Sequence, residues 1–306
     1  MKHIYDQITP DMKPLKVAVV NPVDENSLRG AFEAAAAKLI KPVLVGPKEQ
    51  IEKVAAEAHM DISSFEIVHA ADEEAAAQSA AQLARDGKVE GLMKGKLHTD
   101  VFLKPVVDKA NNLRTGMRMS HVFVMEDPGY HKPLYITDAA MNIAPDLKTK
   151  KDIIQNAINL FWKLEGREPK VAILAATEEV DPKQPATVDA AALVEMVKNK
   201  EITGAKVAGP LALDLAISKE SAKLKGVFNE VAGDADILVF PDLNSGNIYF
   251  KSRALMSKAE LGGLVVGAKV PIILTSRSAS PEERKASAAL ALLEVRKKGP
   301  QQQLAA

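Results

Sequence analysis

The chain has 306 residues, of which 47% are hydrophobic and 26% are charged, a composition typical of a soluble globular protein. Lysine plus arginine equals aspartate plus glutamate at 40 each, and aromatic residues make up 4%, so the composition speaks against nucleic-acid and membrane partners. The absence of cysteine excludes disulfides, thiolate metal sites and a cysteine nucleophile. The sequence has no N-terminal signal core and no apolar run near the roughly 20 residues of a membrane helix, so we expect a cytoplasmic protein.

The first half of the chain predicts alternating strands and helices. This alternation is typical of βαβ units around a parallel sheet, and its last two segments predict an antiparallel hairpin. In chain order we predict a strand at 16–20, a helix at 25–40, a strand at 43–45, helices at 48–59 and 72–86, a strand at 89–93, and hairpin strands at 120–125 and 134–137.

The second half of the chain begins a fresh series of strands and helices. A helix predicted at 149–164 is followed by the loop residues Gly166 and Pro169, so we place a domain change between about residues 140 and 166. The later segments predict strands at 171–175, 235–240 and 270–274 and helices at 188–200, 257–266 and 282–298. The length and the pattern together predict two α/β domains.

Polar side chains gather where the strand at 270–274 ends. Ser276 and Arg277 follow the strand, and Ser280 and Pro281 then provide an N-cap and a first helical residue. A hydroxyl and a guanidinium thus lie at the carboxyl end of a strand, where open α/β sheets bind their ligands. A well-capped helix that merely follows a strand explains the same residues equally well.

A second candidate site follows the strand at 89–93. Lys94, Gly95 and a second lysine form a turn in front of a helix, where backbone amides and the helix dipole favour an anion. His98 and Thr99 complete this predicted phosphate site. The motif is short and common, so an ordinary turn remains the alternative, with His98 as a structural hydrogen-bonding group.

Two further polar groups follow predicted strands. Asp138 and Asn142 come after the strand at 134–137, and they either orient a substrate or close the turn. The loop after 235–240 is dense in amides and hydroxyls, and it either holds an anionic group or is a hydrogen-bonded turn. Its candidate residues are Asn244, Ser245, Gly246 and Asn247.

Several common catalytic motifs are absent from the sequence. It contains no Gly-x-Gly-x-x-Gly, no Walker loop, no His-Glu-x-x-His and no Gly-x-Ser-x-Gly, and its 6 histidines are scattered. We therefore expect no metal and no permanently bound cofactor.

Five segments in order along the chain resemble the phosphate acetyl/butyryltransferase family. The Leu-Met-Lys-Gly loop and the Leu-Thr-Ser-Arg ending are similar to the butyryl branch, whereas the Asn-Ser-Gly-Asn loop and Glu283 are similar to the acetyl branch. The segments are 92–95, 120–122, 209–214, 241–247 and 265–277.

The resemblance implies reversible acyl transfer, acyl-CoA + phosphate ⇌ acyl phosphate + CoA, with coenzyme A as a substrate. We expect acetyl to be the acyl group, as in a phosphate acetyltransferase. It also implies two α/β domains with an active-site cleft between them, in an architecture similar to isocitrate/isopropylmalate dehydrogenase. The final helix then returns to the first domain, which comprises residues 1–140 and 278–306, while the second comprises 141–277. A homodimer or a higher homo-oligomer is implied as well.

The reaction needs a base for the thiol, a cation for the phosphate and a donor for the developing oxyanion. Arg277 offers a planar fork for phosphate oxygens, and Ser276 can donate to the carbonyl oxygen. Family members of the acetyl branch place an aspartate thiol base at the position of Glu283, with Glu282 as the neighbouring alternative. Since no cysteine is present, we predict direct attack of the CoA thiolate on acyl phosphate in a ternary complex.

Other functions compatible with the same residues are kept as alternatives. One is a phosphate butyryltransferase with a longer acyl preference, and another is a non-catalytic relative that binds CoA or acyl phosphate, or a separated partner of a hydratase domain. A third is a metal- and nicotinamide-dependent decarboxylase of the same fold, which would need an aspartate cluster that the sequence lacks.

Overall fold

The protein is described by a computed structural model that covers residues 1–276 and 279–297. The chain divides into two compact units. Unit 1 comprises Met1–Met117 and Gly262–Lys297, and unit 2 comprises Arg118–Leu261. Both units combine strands and helices, in agreement with the predicted mixed α/β class.

The element bounds are as follows. The strands are β1 Leu15–Val20, β2 Ile40–Gly46, β3 Glu66–His69, β4 Gly91–Lys94, β5 Ser120–Glu126, β6 Leu134–Thr137, β7 Lys170–Leu174, β8 Lys206–Leu211, β9 Ile237–Val239, β10 Glu260–Val266 and β11 Ile272–Ile273. The helices are α1 Lys2–Tyr5, α2 Glu25–Ala36, α3 Lys48–Glu57, α4 Glu73–Arg85, α5 Thr99–Val107, α6 Leu147–Glu165, α7 Pro185–Lys198, α8 Leu213–Ile217, α9 Lys219–Leu224, α10 Leu243–Met256 and α11 Pro281–Arg296.

The sheet of unit 1 has the strand order β3-β2-β1-β4-β11-β10. The pairs from β3 to β11 are parallel, and β10 pairs antiparallel with β11. Ile272 of β11 lies opposite Leu92 of β4, so the carboxyl ends of these two strands meet at one edge of the sheet. That edge is where parallel α/β sheets place their ligands.

Unit 2 begins with the predicted antiparallel hairpin, in which Phe123 of β5 lies opposite Ile136 of β6. The strands β6, β9, β7 and β8 then pair in parallel in that order. Hairpin residues share a buried cluster with Leu238 of β9. This packing puts the predicted domain boundary between residues 140 and 141 inside unit 2, while the one between residues 277 and 278 lies outside the described residues.

The prediction of a helix at 257–266 was wrong. Residues Glu260–Val266 form strand β10, and the helix lies earlier, at Leu243–Met256. The Asp242 side chain caps this helix by accepting a hydrogen bond from the Ser245 amide at 3.0 Å. Gly262 of β10 is required by close packing, because a Cβ there would lie 2.9 Å from the Ala286 backbone carbon.

A buried carboxylate links the amino ends of β7 and β9 in unit 2 by hydrogen bonds. Asp236 is fully buried and accepts hydrogen bonds from Arg167 Nη2 at 2.7 Å and from the Lys170 amide at 2.8 Å. Lys132 Nζ lies 2.7 Å away. Burial alone would raise the pKa of Asp236, but the hydrogen bonds from Arg167 and Lys132 hold this pKa below its usual value.

We expect Asp236→Asn to lower the free energy of unfolding at pH 7 by about 3 kcal/mol, because two cations would lose a buried partner. The lowered pKa of Asp236 stabilises the fold at pH values above about 4, where the unfolded carboxyl is ionised, and this stabilisation is lost as the pH falls further. Urea unfolding at pH 7 and pH 3 measures both effects, and the difference between wild type and variant should shrink at pH 3.

The matched control is Glu52→Gln, which removes an exposed pair with Lys48 on one turn of α3. This change should cost at most about 1 kcal/mol at either pH. Equal losses in the two variants would contradict the stabilising role of Asp236.

Candidate functional site

A polar cavity of about 490 Å³ lies at the carboxyl ends of β4 and β11 in unit 1. It is bounded by the end of β4, the start of α5 and the chain that leaves β11. Four of the predicted site residues line it together, along with three residues that were not predicted. The lining residues are Lys94, Leu97, His98, Thr99, Asp100, Thr275 and Ser276.

Lys94 is the last residue of β4, and its side chain is buried. The next residue, Gly95, is required by a close approach, since a Cβ there would lie 2.3 Å from the Val20 carbonyl oxygen. The amide of Gly95 donates to that carbonyl at 2.9 Å, and the amide of Lys96 donates to the Asn21 carbonyl at 2.9 Å. Both amides thus bind β1 and the residue after it, which favours the alternative of an ordinary turn at Gly95 over a cradle of backbone donors.

Helix α5 supplies the anion-favouring group that the turn does not. His98 occupies its N-cap position with extended backbone, and Thr99 is its first residue. The helix has 9 residues, and its free N–H groups and dipole favour negative charge at this end. Together with the Lys94 ammonium, these groups give the cavity an electropositive wall, which Asp100 partly offsets.

The chain after β11 is fixed by Arg284 of α11, a residue that the sequence analysis did not select. Its Nη1 donates to the buried Thr275 hydroxyl at 2.7 Å, and its Nη2 donates to the Ser276 carbonyl at 3.0 Å. The Ser276 side chain itself is exposed at the cavity. Arg277, the predicted phosphate-binding residue, lies outside the described residues.

The two glutamates at the start of α11 occupy different environments. Ser280 caps the helix by accepting from the Glu283 amide at 3.1 Å, as predicted. Glu282 is exposed, and hydrogen bonds from its own amide and from the Ser280 hydroxyl lower its pKa. Glu283 is half-buried, and burial raises its pKa although Arg284 acts in the opposite direction. The raised pKa favours Glu283 over Glu282 as the predicted thiol base.

The start of α11 is docked tightly on β10. The Ser287 hydroxyl donates to the Glu283 carbonyl at 2.8 Å and accepts from the Gly263 amide at 3.0 Å. Because Gly262 has no side chain, the helix backbone packs directly against this strand. These contacts fix the backbone of Glu283 relative to β10.

In unit 2, Asp138 closes the turn after β6. Its carboxylate accepts hydrogen bonds from the amides of Ala140 and Met141, and from the amide and side chain of Asn142. The Asn142 oxygen in turn accepts from Arg118 Nε at 3.1 Å. These bonds favour the turn interpretation of Asp138 and Asn142 over direct substrate contact.

The second polar group of unit 2 forms the start of α10 rather than a loop. Asn247 donates to the Ala139 carbonyl at 3.0 Å, and a Cβ on Gly246 would lie 2.9 Å from the Asp138 carbonyl oxygen. Ser245 is engaged with the cap residue Asp242. Asn244 remains exposed. The structure therefore brings the predicted residues of unit 2 together, at one turn and one helix start.

Across residues 1–276 and 279–297, no group of three or more histidine or acidic side chains is arranged to hold a metal ion. Within the same ranges, none of the helices combines the length and apolar character needed to cross a bilayer.

The comparison with known protein families decides the family. The sequence model described as "Phosphate acetyl/butaryl transferase" matches residues 72–292, which include both strand ends of the cavity and most of α11. The chain belongs to this family. It is a phosphate acyltransferase, and the resemblance noted in the sequence is confirmed.

Individual relatives of the chain carry both acyl specificities. A phosphate acetyltransferase of Rhizobium meliloti is 50% identical over 280 residues, which cover 92% of this chain and 89% of the relative. A phosphate butyryltransferase of Clostridium acetobutylicum is 40% identical over 283 residues, which cover 92% of this chain and 93% of the relative. A crystal structure of a branched-chain phosphotransacylase from Enterococcus faecalis matches with a TM-score of 0.82 and 33% identity, covering 93% of this chain and all of that one.

We predict that Glu283→Gln lowers turnover about 10²- to 10⁴-fold, because the variant would lack the thiol base. Wild-type turnover with CoA and acyl phosphate should fall as the pH drops through the raised pKa of Glu283, since a protonated carboxyl cannot accept the thiol proton. Steady-state rates between pH 5 and pH 8 measure this limb, and the variant should lack it.

The neighbouring change Glu282→Gln is the matched control, because that side chain is exposed and its pKa is lowered. Its turnover should stay within about twofold of wild type. Loss of activity in Glu282→Gln but not in Glu283→Gln would reverse the assignment of the base.

Proposed function

We propose that this protein catalyses acetyl-CoA + phosphate ⇌ acetyl phosphate + CoA. The observation that carries the proposal is the cavity of unit 1, where Lys94, the start of α5 and Ser276 lie together in a chain of this family. The acetyl preference is supported by relatives, since the phosphate acetyltransferase is 50% identical and the phosphate butyryltransferase 40%.

The charge of this cavity suits inorganic phosphate. The buried Lys94 ammonium and the amino end of α5 favour an anion, and the Thr99 hydroxyl can donate to its oxygens. We assign to Arg277 the role of a second, bidentate phosphate ligand, on the sequence argument alone. In the forward reaction this phosphate is the nucleophile, and in the reverse reaction it is the leaving group.

The proton of the CoA thiol goes to Glu283 in this proposal. An ordinary glutamate with a pKa near 4.3 is about 6 kcal/mol too weak to deprotonate a thiol with a pKa near 8.5. Burial of Glu283 narrows this gap by raising its pKa. Ser276 then donates to the carbonyl oxygen as negative charge develops on it.

The acyl group passes directly between the two substrates. The thiolate sulfur attacks the carbonyl carbon of acyl phosphate, the carbon–oxygen bond to phosphate breaks, and phosphate leaves with the bonding electrons. The chain has no cysteine, so the most reactive protein nucleophile for a covalent intermediate is missing.

We also propose that the protein forms a homo-oligomer. Helix α10 exposes the large apolar side chains Ile248, Leu255 and Met256. This exposure supports a homo-oligomer, in which a second copy of the chain would cover them. The isocitrate/isopropylmalate dehydrogenase-like architecture is supported by the two α/β units. The predicted active-site cleft, the domain limits and the cytoplasmic location stay predictions.

The test of the acyl preference is the rate of phosphate-dependent CoA release from acetyl-CoA and butyryl-CoA. Because the chain contains no cysteine, a thiol reagent detects only the released CoA. We expect kcat/KM for acetyl-CoA to exceed that for butyryl-CoA by at least about 10- to 200-fold, the discrimination that one methylene allows, because the two acyl groups differ by two. A higher value for butyryl-CoA would establish a butyryltransferase, and no release from either would indicate a non-catalytic relative.

The test of direct transfer is incubation of the protein with acetyl phosphate in the absence of CoA. Intact mass spectrometry should show only the unmodified chain, because no enzyme residue accepts the acyl group in the proposed step. A chain heavier by one acetyl group, formed and discharged as fast as turnover, would contradict direct attack. The Glu283→Gln variant under the same conditions controls for slow chemical acetylation of surface lysines.

A further inference from the structure

Arg284 is a buried arginine whose hydrogen bonds go to the cavity wall. Only 3% of its surface is exposed. Its two terminal nitrogens donate to Thr275 Oγ1 and to the Ser276 carbonyl, and both of these residues line the cavity. Burial lowers its pKa, while Asp24 and Glu283 favour the charged form, so the guanidinium remains protonated.

The placement of Arg284 differs from that of a purely stabilising arginine on the same helix. Arg296, near the other end of α11, forms a bidentate pair with the Glu90 carboxylate, at 2.6 Å and 2.9 Å. Arg284 instead directs its Nη donors to a hydroxyl and a carbonyl, and its buried Nε has no hydrogen-bond partner among the described residues. Such an incompletely satisfied buried charge is costly, and its retention calls for a function.

A glycine on a neighbouring helix leaves space for the Arg284 side chain. Gly30 of α2 faces Arg284, and a Cβ at Gly30 would lie 2.4 Å from Arg284 Cδ and 3.1 Å from its Cβ. The guanidinium cannot move aside cheaply, because its two terminal nitrogens are both hydrogen-bonded in a buried setting. The glycine on α2 therefore sets the position of the arginine on α11.

We infer that Arg284 is a positioning residue for the phosphate cavity, which it shapes by holding Thr275 and Ser276 in place from behind. This inference rests on the proposed function. A bidentate guanidinium fixes both the direction and the distance of the chain after β11, whereas a single-point contact would leave it free to rotate. Displacement of a positioning group by about 1 Å can cost about 10²-fold in rate, so the effect should be measurable.

The test compares Arg284→Met, Arg284→Lys and Gly30→Ala with the control Arg296→Met. We expect Arg284→Met to raise KM for phosphate about tenfold and to lower kcat at least tenfold, while KM for acyl-CoA changes less than twofold. Arg284→Lys should recover part of both losses, because an ammonium reaches one acceptor but not two. A merely structural role would lower the active fraction without a selective change in KM for phosphate.

Gly30→Ala provides the second arm, since it keeps the charge and displaces the side chain. It should raise KM for phosphate in the same direction, and combining it with Arg284→Met should add little, because both act through one contact. Arg296→Met should keep both KM values within twofold of wild type, with any loss confined to thermal stability.

The outcomes separate the two proposals. Wild-type protein that releases no CoA in the presence of phosphate would overturn the proposed function and this inference with it. Active wild-type protein together with Arg284 and Gly30 variants that match Arg296→Met would overturn the inference alone. If Arg284→Met fails to fold, the Arg284→Lys and Gly30→Ala variants decide the result by the same measurements.

Discussion

The parallel pairing of β11 with β4 is the constraint on which the cavity of unit 1 depends. It places Ile272 beside Leu92, two residues that are remote in the sequence. The pairing is short, since β11 has 2 residues, so the hydrogen bonds of the sheet alone hold it weakly. The helix that follows supplies the remaining contacts, through Arg284 to the chain after β11 and through Ser287 to β10.

Helix α11 carries both the proposed thiol base, Glu283, and the proposed positioning residue, Arg284. Glu283 and Arg284 are neighbours, yet their side chains leave the helix in different directions and do different work. Burial raises the pKa of Glu283, and the charge of Arg284 limits that rise. The neighbouring cation therefore opposes protonation of the Glu283 carboxyl.

Much of this fold could be predicted from the sequence, because its signals are local. The hairpin of β5 and β6 and the Ser280 cap of α11 follow from apolar runs and capping residues within a few positions. Strand β3 was missed because its four residues alternate too little to stand out, and β10 was predicted as a helix. Short strands are specified by their partners, which a local pattern does not contain.

The candidate site was predictable in its residue types but not in its contacts. Lys94, His98, Thr99 and Ser276 were selected from strand ends, and they do line one cavity. The use of the Gly95 amide by the Val20 carbonyl could not be predicted, because it depends on how closely β4 approaches the end of β1. Arg284 was missed for the same reason, since its role requires two residues brought beside it by folding.

Gly30 of α2 and Arg284 of α11 are complementary in size, because the Arg284 side chain occupies the space that a side chain at position 30 would need. Evolution at either position is therefore conditional on the other. A descendant that acquired a side chain at position 30 would either displace Arg284 or require a shorter residue at position 284, and in the second case it would need a different support for Ser276. A glycine at position 30 is therefore expected wherever an arginine at position 284 supports the cavity wall.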